Sequence, residues 1–147
     1  MKILYLAHGP AGLKGMELIL KDLKIRAKDI LVFTFRLKEN IPLIQKLSVL
    51  GINYSTDKIK NENSLEAIKN FSPDLIISMH FREIIPSEVL NIPKLGGFNL
   101  HPSLLPKYRG CLAGPWAIIN GEKITGITYH YLVPRIDQGA IIIQKEI

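Results

Sequence analysis

The chain has 147 residues, a formal net charge of +6 and an apolar share of 47%. That length supports one domain with a hydrophobic core. Its single cysteine, Cys111, excludes an internal disulfide and a cysteine-clustered zinc site, and no apolar run reaches membrane-spanning length.

The elements follow in chain order. Lys2–Ala7 is a continuous apolar run and predicts a first buried strand. It is too short for the apolar region of a signal peptide and ends in His-Gly-Pro, so the expected location is cytoplasmic. His8-Gly9-Pro10-Ala11-Gly12 predicts a turn, with His8 near the ligand-facing end of the strand as a candidate substrate contact. Leu13, Met16, Leu20 and Leu23 share one face of an amphipathic helix. Residues 1–40 hold eight Lys/Arg against four Asp/Glu. This surplus favours anionic partners in general, whether phosphorylated metabolites, polyglutamylated cofactors or nucleic acid, but the absence of basic runs with interleaved aromatics points first to a solvated basic surface and makes nucleic acid the least expected partner. Asp29–Phe35 predicts a second strand and Pro42–Leu50 a helix that stops at Gly51. Ile52–Ser55 is a short strand. Ser64–Lys69 is a short helix capped by Asn63 or Ser64. Leu75–Met79 is another buried strand. Pro86–Leu90 is a helical turn, Gly96–Leu100 a strand, Gly114–Asn120 a helix and Thr125–Leu132 a strand. The last strand, Ala140–Ile147, carries an Ile141-Ile142-Ile143 run expected to be buried. Alternating strands and helices predict an α/β fold: a Rossmann-like, mainly parallel twisted sheet flanked by helices. A single domain over 1–147 is expected, with the chain stopping short after the last strand.

The chemistry concentrates in Phe98-Asn99-Leu100-His101-Pro102-Ser103-Leu104-Leu105-Pro106-Lys107-Tyr108-Arg109-Gly110. Asn99 and His101 lie two apart, so a strand points both to one face. An amide beside an imidazole can hold an oxyanion and move a proton. Thr128 and His130 share a face of the later strand. Asp137, in Asp137-Gln138-Gly139, offers a carboxylate to charge or orient the imidazole. Asn99, His101 and Asp137 together are the toolkit for attack on a carbonyl without a protein nucleophile. No metal-ligand cluster is present. Cys111 has no base at useful spacing and reads as a bystander.

Three blocks, Asn99–Gly110, Gly126-Ile127-Thr128-Tyr129-His130 and Asp137-Gln138-Gly139-Ala140-Ile141-Ile142, resemble the folate-dependent formyltransferases in order and spacing. The resemblance implies Asn99, His101 and Asp137 as catalytic residues and 10-formyltetrahydrofolate as formyl donor. It also implies a pterin pocket from Arg82, Ile84, Ile85, Ile136 and Asp137. The acceptor is expected to be a small-molecule amine, phosphorylated or nucleotide-linked, with His8, Ser103, Lys107, Tyr108, Arg109, Thr128 and His130 as candidate contacts. The turn after the first strand lacks the phosphate loop of the purine-pathway members. Tyr108-Arg109-Gly110-Cys111 differs from the Trp-Arg-Gly-Ala of the methionyl-tRNA enzymes. The stretch through Trp116-Ala117-Ile118-Ile119-Asn120-Gly121-Glu122 looks most like the sugar-nucleotide N-formyltransferases. Formyl-folate hydrolysis, a glycinamide ribonucleotide or tRNA acceptor, and a non-catalytic folate- or nucleotide-binding remnant stay open alternatives, as does a homodimer.

Overall fold

Apolar runs become strands. In the computed structural model, which describes residues 1–147, they are β1 (Ile3–Ala7), β2 (Ile30–Phe33), β3 (Asn53–Ser55), β4 (Leu75–Met79), β5 (Gly97–His101), β6 (Gly126–Tyr131) and β7 (Ile141–Glu146). The helices are α1 (Gly9–Asp22), α2 (Ile41–Val49), α3 (Glu62–Phe71), α4 (Ser87–Leu90) and α5 (Ala113–Ile119). One sheet takes the order β3-β2-β1-β4-β5-β6-β7. The first five strands in that order are parallel, and β6 and β7 are antiparallel. This is the expected Rossmann-like α/β architecture. No helix is long and apolar enough to cross a membrane.

Period-two alternation divides the core into two layers. Ile3, Tyr5, Ala7, Ile77 and Met79 face α1 and α2, where Met16, Ile19, Leu43 and Leu47 cover them. Leu4, Leu6, Phe33 and Ile76 face the other way, against Ile68 of α3 and Val89 of α4. Each fully buried aliphatic side chain contributes about 1.5–3 kcal/mol relative to exposure. Parallel strands buried on both faces need such continuous apolar runs, and β1 supplies one in which every residue is buried.

Strand order reverses between β1 and β4, which creates a crevice at their carboxyl ends. His8 leaves β1 there and His80 leaves β4. Further along, β5 pairs with β6 in a register that sets Asn99 opposite His130 and His101 opposite Thr128. Ser78 is beside Asn99 on the neighbouring strand. All five side chains therefore lie on the sheet face that carries Leu4, Leu6 and Ile76.

Three expectations need correction. The turn over residues 8–12 is already helical from Gly9: Gly9 takes φ +62° at the corner, Pro10 suits the first turn, and Gly12 packs against Ala7 too closely for a side chain. Helix α3 starts earlier than Ser64 and has Asn61 at its N-cap. The Ile141–Ile143 run is exposed, because β7 is the sheet edge and is open along its whole length.

Candidate active site

The β5–β6 register brings four polar side chains onto one face, and the loop after β6 folds back to add a fifth. Leu132 continues the sheet through its N–H to the Gly97 carbonyl, and the chain then turns so that Asp137 meets the imidazoles of His101 and His130. Asp137 Oδ2 lies 3.3 Å from His101 Nδ1, and Oδ1 lies 3.3 Å from His130 Nε2. The Gly110 N–H donates to Oδ2 at 2.8 Å. Asn99 Nδ2 is 3.2 Å from His130 Nε2. The three expected catalytic residues, Asn99, His101 and Asp137, thus form one connected cluster.

Burial raises the Asp137 carboxyl, but the His130 contact, the Gly110 N–H and the charge on His101 outweigh it and hold the group below the usual carboxylate range. Asp137 is therefore an anion at neutral pH. His101 is enclosed, with 5% of its side chain exposed. Its Nε2 sits 2.7 Å from the Tyr108 carbonyl oxygen while Nδ1 faces the carboxylate. Both nitrogens meet acceptors, and an imidazole satisfies both only when doubly protonated.

Left-handed backbone surrounds this cluster at residues that are not glycine. Tyr108, Asp137 and His80 have φ of 55°, 50° and 60°. Each such residue costs about 1–2 kcal/mol. Strain of this kind persists where neighbouring structure fixes it, often beside a ligand site.

At the crevice, His8 is nearly enclosed. Asn40 is fully buried; its Oδ1 accepts the Gly9 N–H at 2.7 Å and its Nδ2 meets His8 Nδ1 at 3.2 Å. The His8 ring contacts those of Phe35 and His80. Burial and the Arg82 guanidinium push both His8 and His80 below the usual imidazole value, so both are neutral at pH 7. Sequence reading placed His8 at this crevice but missed Asn40, since nothing local marks the amide whose partners lie 31 and 32 residues away. His80 was visible only as part of a loop, and its positive φ has no sequence signal in a histidine.

The remaining expected contacts divide. Arg82 and Arg109 are exposed. Ile84 and Ile136 expose 70% and 51% of their surface, enough to offer apolar faces to a ligand, whereas Ile85 packs against the second core layer. Lys107 Nζ and the Tyr108 hydroxyl both reach Glu122 Oε1 at 2.9 Å, so their polar ends are tied to this carboxylate.

Ser103, Thr128 and His130, expected as substrate contacts, are all buried, and their polar atoms are engaged within the protein. Ser103 is fully buried and its hydroxyl closes the proline turn by donating to the Lys107 carbonyl at 2.6 Å. The Thr128 hydroxyl is equally enclosed. It donates to the Ser103 carbonyl at 2.7 Å and accepts from the Leu105 N–H at 3.1 Å and from Gln144 Nε2 at 2.9 Å. His130 is wedged between Asn99 and Asp137. Thr128→Val keeps the shape and orphans buried backbone groups, so it should cost about 2–3 kcal/mol, lowering Tm by on the order of 4–10 °C in thermal unfolding. An unchanged Tm would assign the hydroxyl no structural role.

Residues 20–147 match the family model described as formyl transferase. The GDP-perosamine N-formyltransferase of Brucella melitensis is 45% identical over 108 residues, which covers 74% of this chain and 42% of that protein. Among solved structures, the phosphoribosylglycinamide formyltransferase of Bacillus halodurans superposes with a TM-score of 0.80 at 22% identity, covering 100% of this chain and 79% of the other. WlaRD, a sugar 3N-formyl transferase determined in the presence of dTDP and 5-N-formyl-THF, gives a TM-score of 0.77 at 25% identity, over 100% of this chain and 52% of the other. The chain spans less than half the length of the curated relatives it matches.

Proposed function

The chain belongs to the formyl transferase family, and from that premise we propose that it moves a formyl group from 10-formyltetrahydrofolate to the primary amine of an amino sugar nucleotide. The observation that carries the reading is the convergence of Asn99, His101 and Asp137 with both carboxylate oxygens turned to imidazoles. The likeness to a GDP-perosamine enzyme supports a nucleotide-linked sugar as acceptor.

In this reading the acceptor nitrogen, as a neutral amine, bonds to the formyl carbon and the carbonyl π pair moves onto oxygen. The Asn99 amide N–H and a His101 N–H hold that oxyanion. For His101 this means exchanging the Tyr108 carbonyl for the substrate oxygen at Nε2. Asp137 keeps the imidazolium oriented and compensates its charge. When the oxyanion collapses, the bond from the formyl carbon to the folate nitrogen breaks. The acceptor's proton then passes to that nitrogen. No covalent bond to the protein is required.

The exposed faces of Ile84 and Ile136 suit the flat pterin of the donor, with Arg82 nearby for its anionic end and Ile85 supporting the loop from beneath. On the acceptor side, His8 lies at the crevice. Glu122 tethers Lys107 and Tyr108, leaving Arg109 as the free cation of this loop for a diphosphate.

Incubation with 10-formyltetrahydrofolate and a GDP- or dTDP-linked amino sugar tests the reading, with tetrahydrofolate release and the mass of the sugar nucleotide followed together. Release should depend on the amine and match formylated product one for one. Equal release in its absence makes water the acceptor and overturns the transferase reading. Donor binding without release under any condition leaves only a folate-binding domain.

A further inference from the structure

His130 stands directly behind two members of the catalytic cluster, with 2% of its side chain exposed. Its Nδ1 lies 2.9 Å from the carbonyl oxygen of Tyr131 and therefore carries a proton. The opposite nitrogen, Nε2, has two neighbours: Asn99 Nδ2 at 3.2 Å and Asp137 Oδ1 at 3.3 Å. A single protonation state cannot serve both. With a lone pair, Nε2 accepts an Asn99 N–H, and the second N–H of the amide remains free. With a proton, Nε2 donates to Asp137 Oδ1. The Asn99 nitrogen would then face another donor, so the amide must turn its oxygen toward His130. The two ends of an amide are almost the same shape, and hydrogen-bond logic alone separates them.

The distinction matters for an oxyanion. In the first arrangement Asn99 is anchored as a donor and its free N–H can point at the reacting oxygen. In the second, a carbonyl lone pair takes that place and repels the developing charge. The Asp137 carboxylate keeps His101 Nδ1 and the Gly110 N–H at Oδ2, while its Oδ1, 3.3 Å from His130 Nε2, competes with Asn99 for that nitrogen.

We propose that His130 is a positioning residue: in its neutral Nδ1–H form it accepts the Asn99 amide and fixes that side chain as the oxyanion donor. The inference rests on the formyl-transfer reading for its kinetic consequence, but the tautomer and the amide orientation are properties of the free protein.

Two variants and one spectrum test it. In His130→Leu no acceptor remains, and kcat should fall roughly tenfold to a hundredfold, no more than the about 10²- to 10³-fold loss that follows outright removal of one oxyanion donor, while KM for the formyl donor stays within about twofold. His130→Gln places a carbonyl oxygen near the position of Nε2 and should recover most of the loss. Imidazole ¹⁵N spectra of the unaltered protein at assay pH should show His130 protonated at Nδ1 and bare at Nε2. The Asn99 side-chain amide resonances should shift in the Leu variant and return in the Gln variant. Unchanged kcat in His130→Leu, no recovery in His130→Gln, or a proton on Nε2 overturns the proposal. If no amine is formylated by the unaltered protein, the transferase reading falls by itself, and the nitrogen spectrum with the Asn99 resonances still decides the positioning role.

Discussion

Asp137→Asn should lower turnover by roughly 10³- to 10⁴-fold and leave the fold in place, as loss of the carboxylate from an imidazole–carboxylate pair does in other enzymes. The substitution is nearly isosteric, and asparagine is among the few residues that tolerate the left-handed backbone found at this position, φ 50°. The Gly110 N–H still finds an oxygen acceptor. What disappears is the negative charge beside His101. The control for folding has its own sign. The folded Asp137 carboxyl titrates below its usual range, so its contribution to stability is present above the ordinary carboxylate pKa. That contribution fades as pH falls through the lowered folded value. Asp137→Asn should remove this increment of acid sensitivity and little else. Thermal unfolding across pH, paired with kcat at neutral pH, separates the two effects. Turnover near normal in the variant would remove Asp137 from the chemistry.

How far the chain announced this site depends on the distance each contact spans. Asn99 and His101 were legible because alternation within one strand is a local rule, and Asp137 because its loop motif accompanies them at the spacing of a known family. The buried strands β1 and β4 were equally plain from their apolar runs. His130 was placed on the right face, beside Thr128, yet its partner could not be read. The contact to Asn99 exists only through the antiparallel register of β5 and β6, across 31 residues. The same holds for Thr128, whose hydroxyl serves Ser103 and Leu105 of the preceding loop. Burial of Ile141–Ile143 was misread for a different reason. An apolar run in a strand implies cover only if the strand lies inside the sheet, and β7 lies at its edge. Tyr108 entered the reading as a side chain, but it is the Tyr108 carbonyl that meets His101. Side-chain patterns carry little information about where a backbone carbonyl turns.

The second large effect belongs to a residue with no side chain. Gly139→Ala should both destabilise the protein and impair turnover. Gly139 lies where the Asp137 loop rejoins the sheet, one residue before Ala140, whose carbonyl accepts the Tyr131 N–H at 3.0 Å. A Cβ on Gly139 would run into the Tyr131 carbonyl oxygen and carbon. Backbone stands on both sides of this contact, so no rotamer change can relieve it. The strand or the loop must move. Overpacking by a side chain typically costs about 1–3 kcal/mol, and a clash with main chain belongs at or above the upper end. The carbonyl that must yield is also the acceptor that holds the proton on His130 Nδ1. Displacement therefore reaches Asn99 through His130 and reaches His101 through Asp137, two residues back in the loop. Turnover should fall at least about tenfold even at temperatures where the variant is folded, because misplacement by about 1 Å is enough for losses of that order. Gly114→Ala is the matched control. It lies within α5, has ordinary helical freedom, and an added methyl meets nothing within 4 Å. Alanine there should be neutral or stabilising by about 0.5–1 kcal/mol. Thermal melts and kcat for the two variants, measured side by side, decide the matter: equal behaviour would show that the close approach of Gly139 to Tyr131 does not hold the catalytic loop.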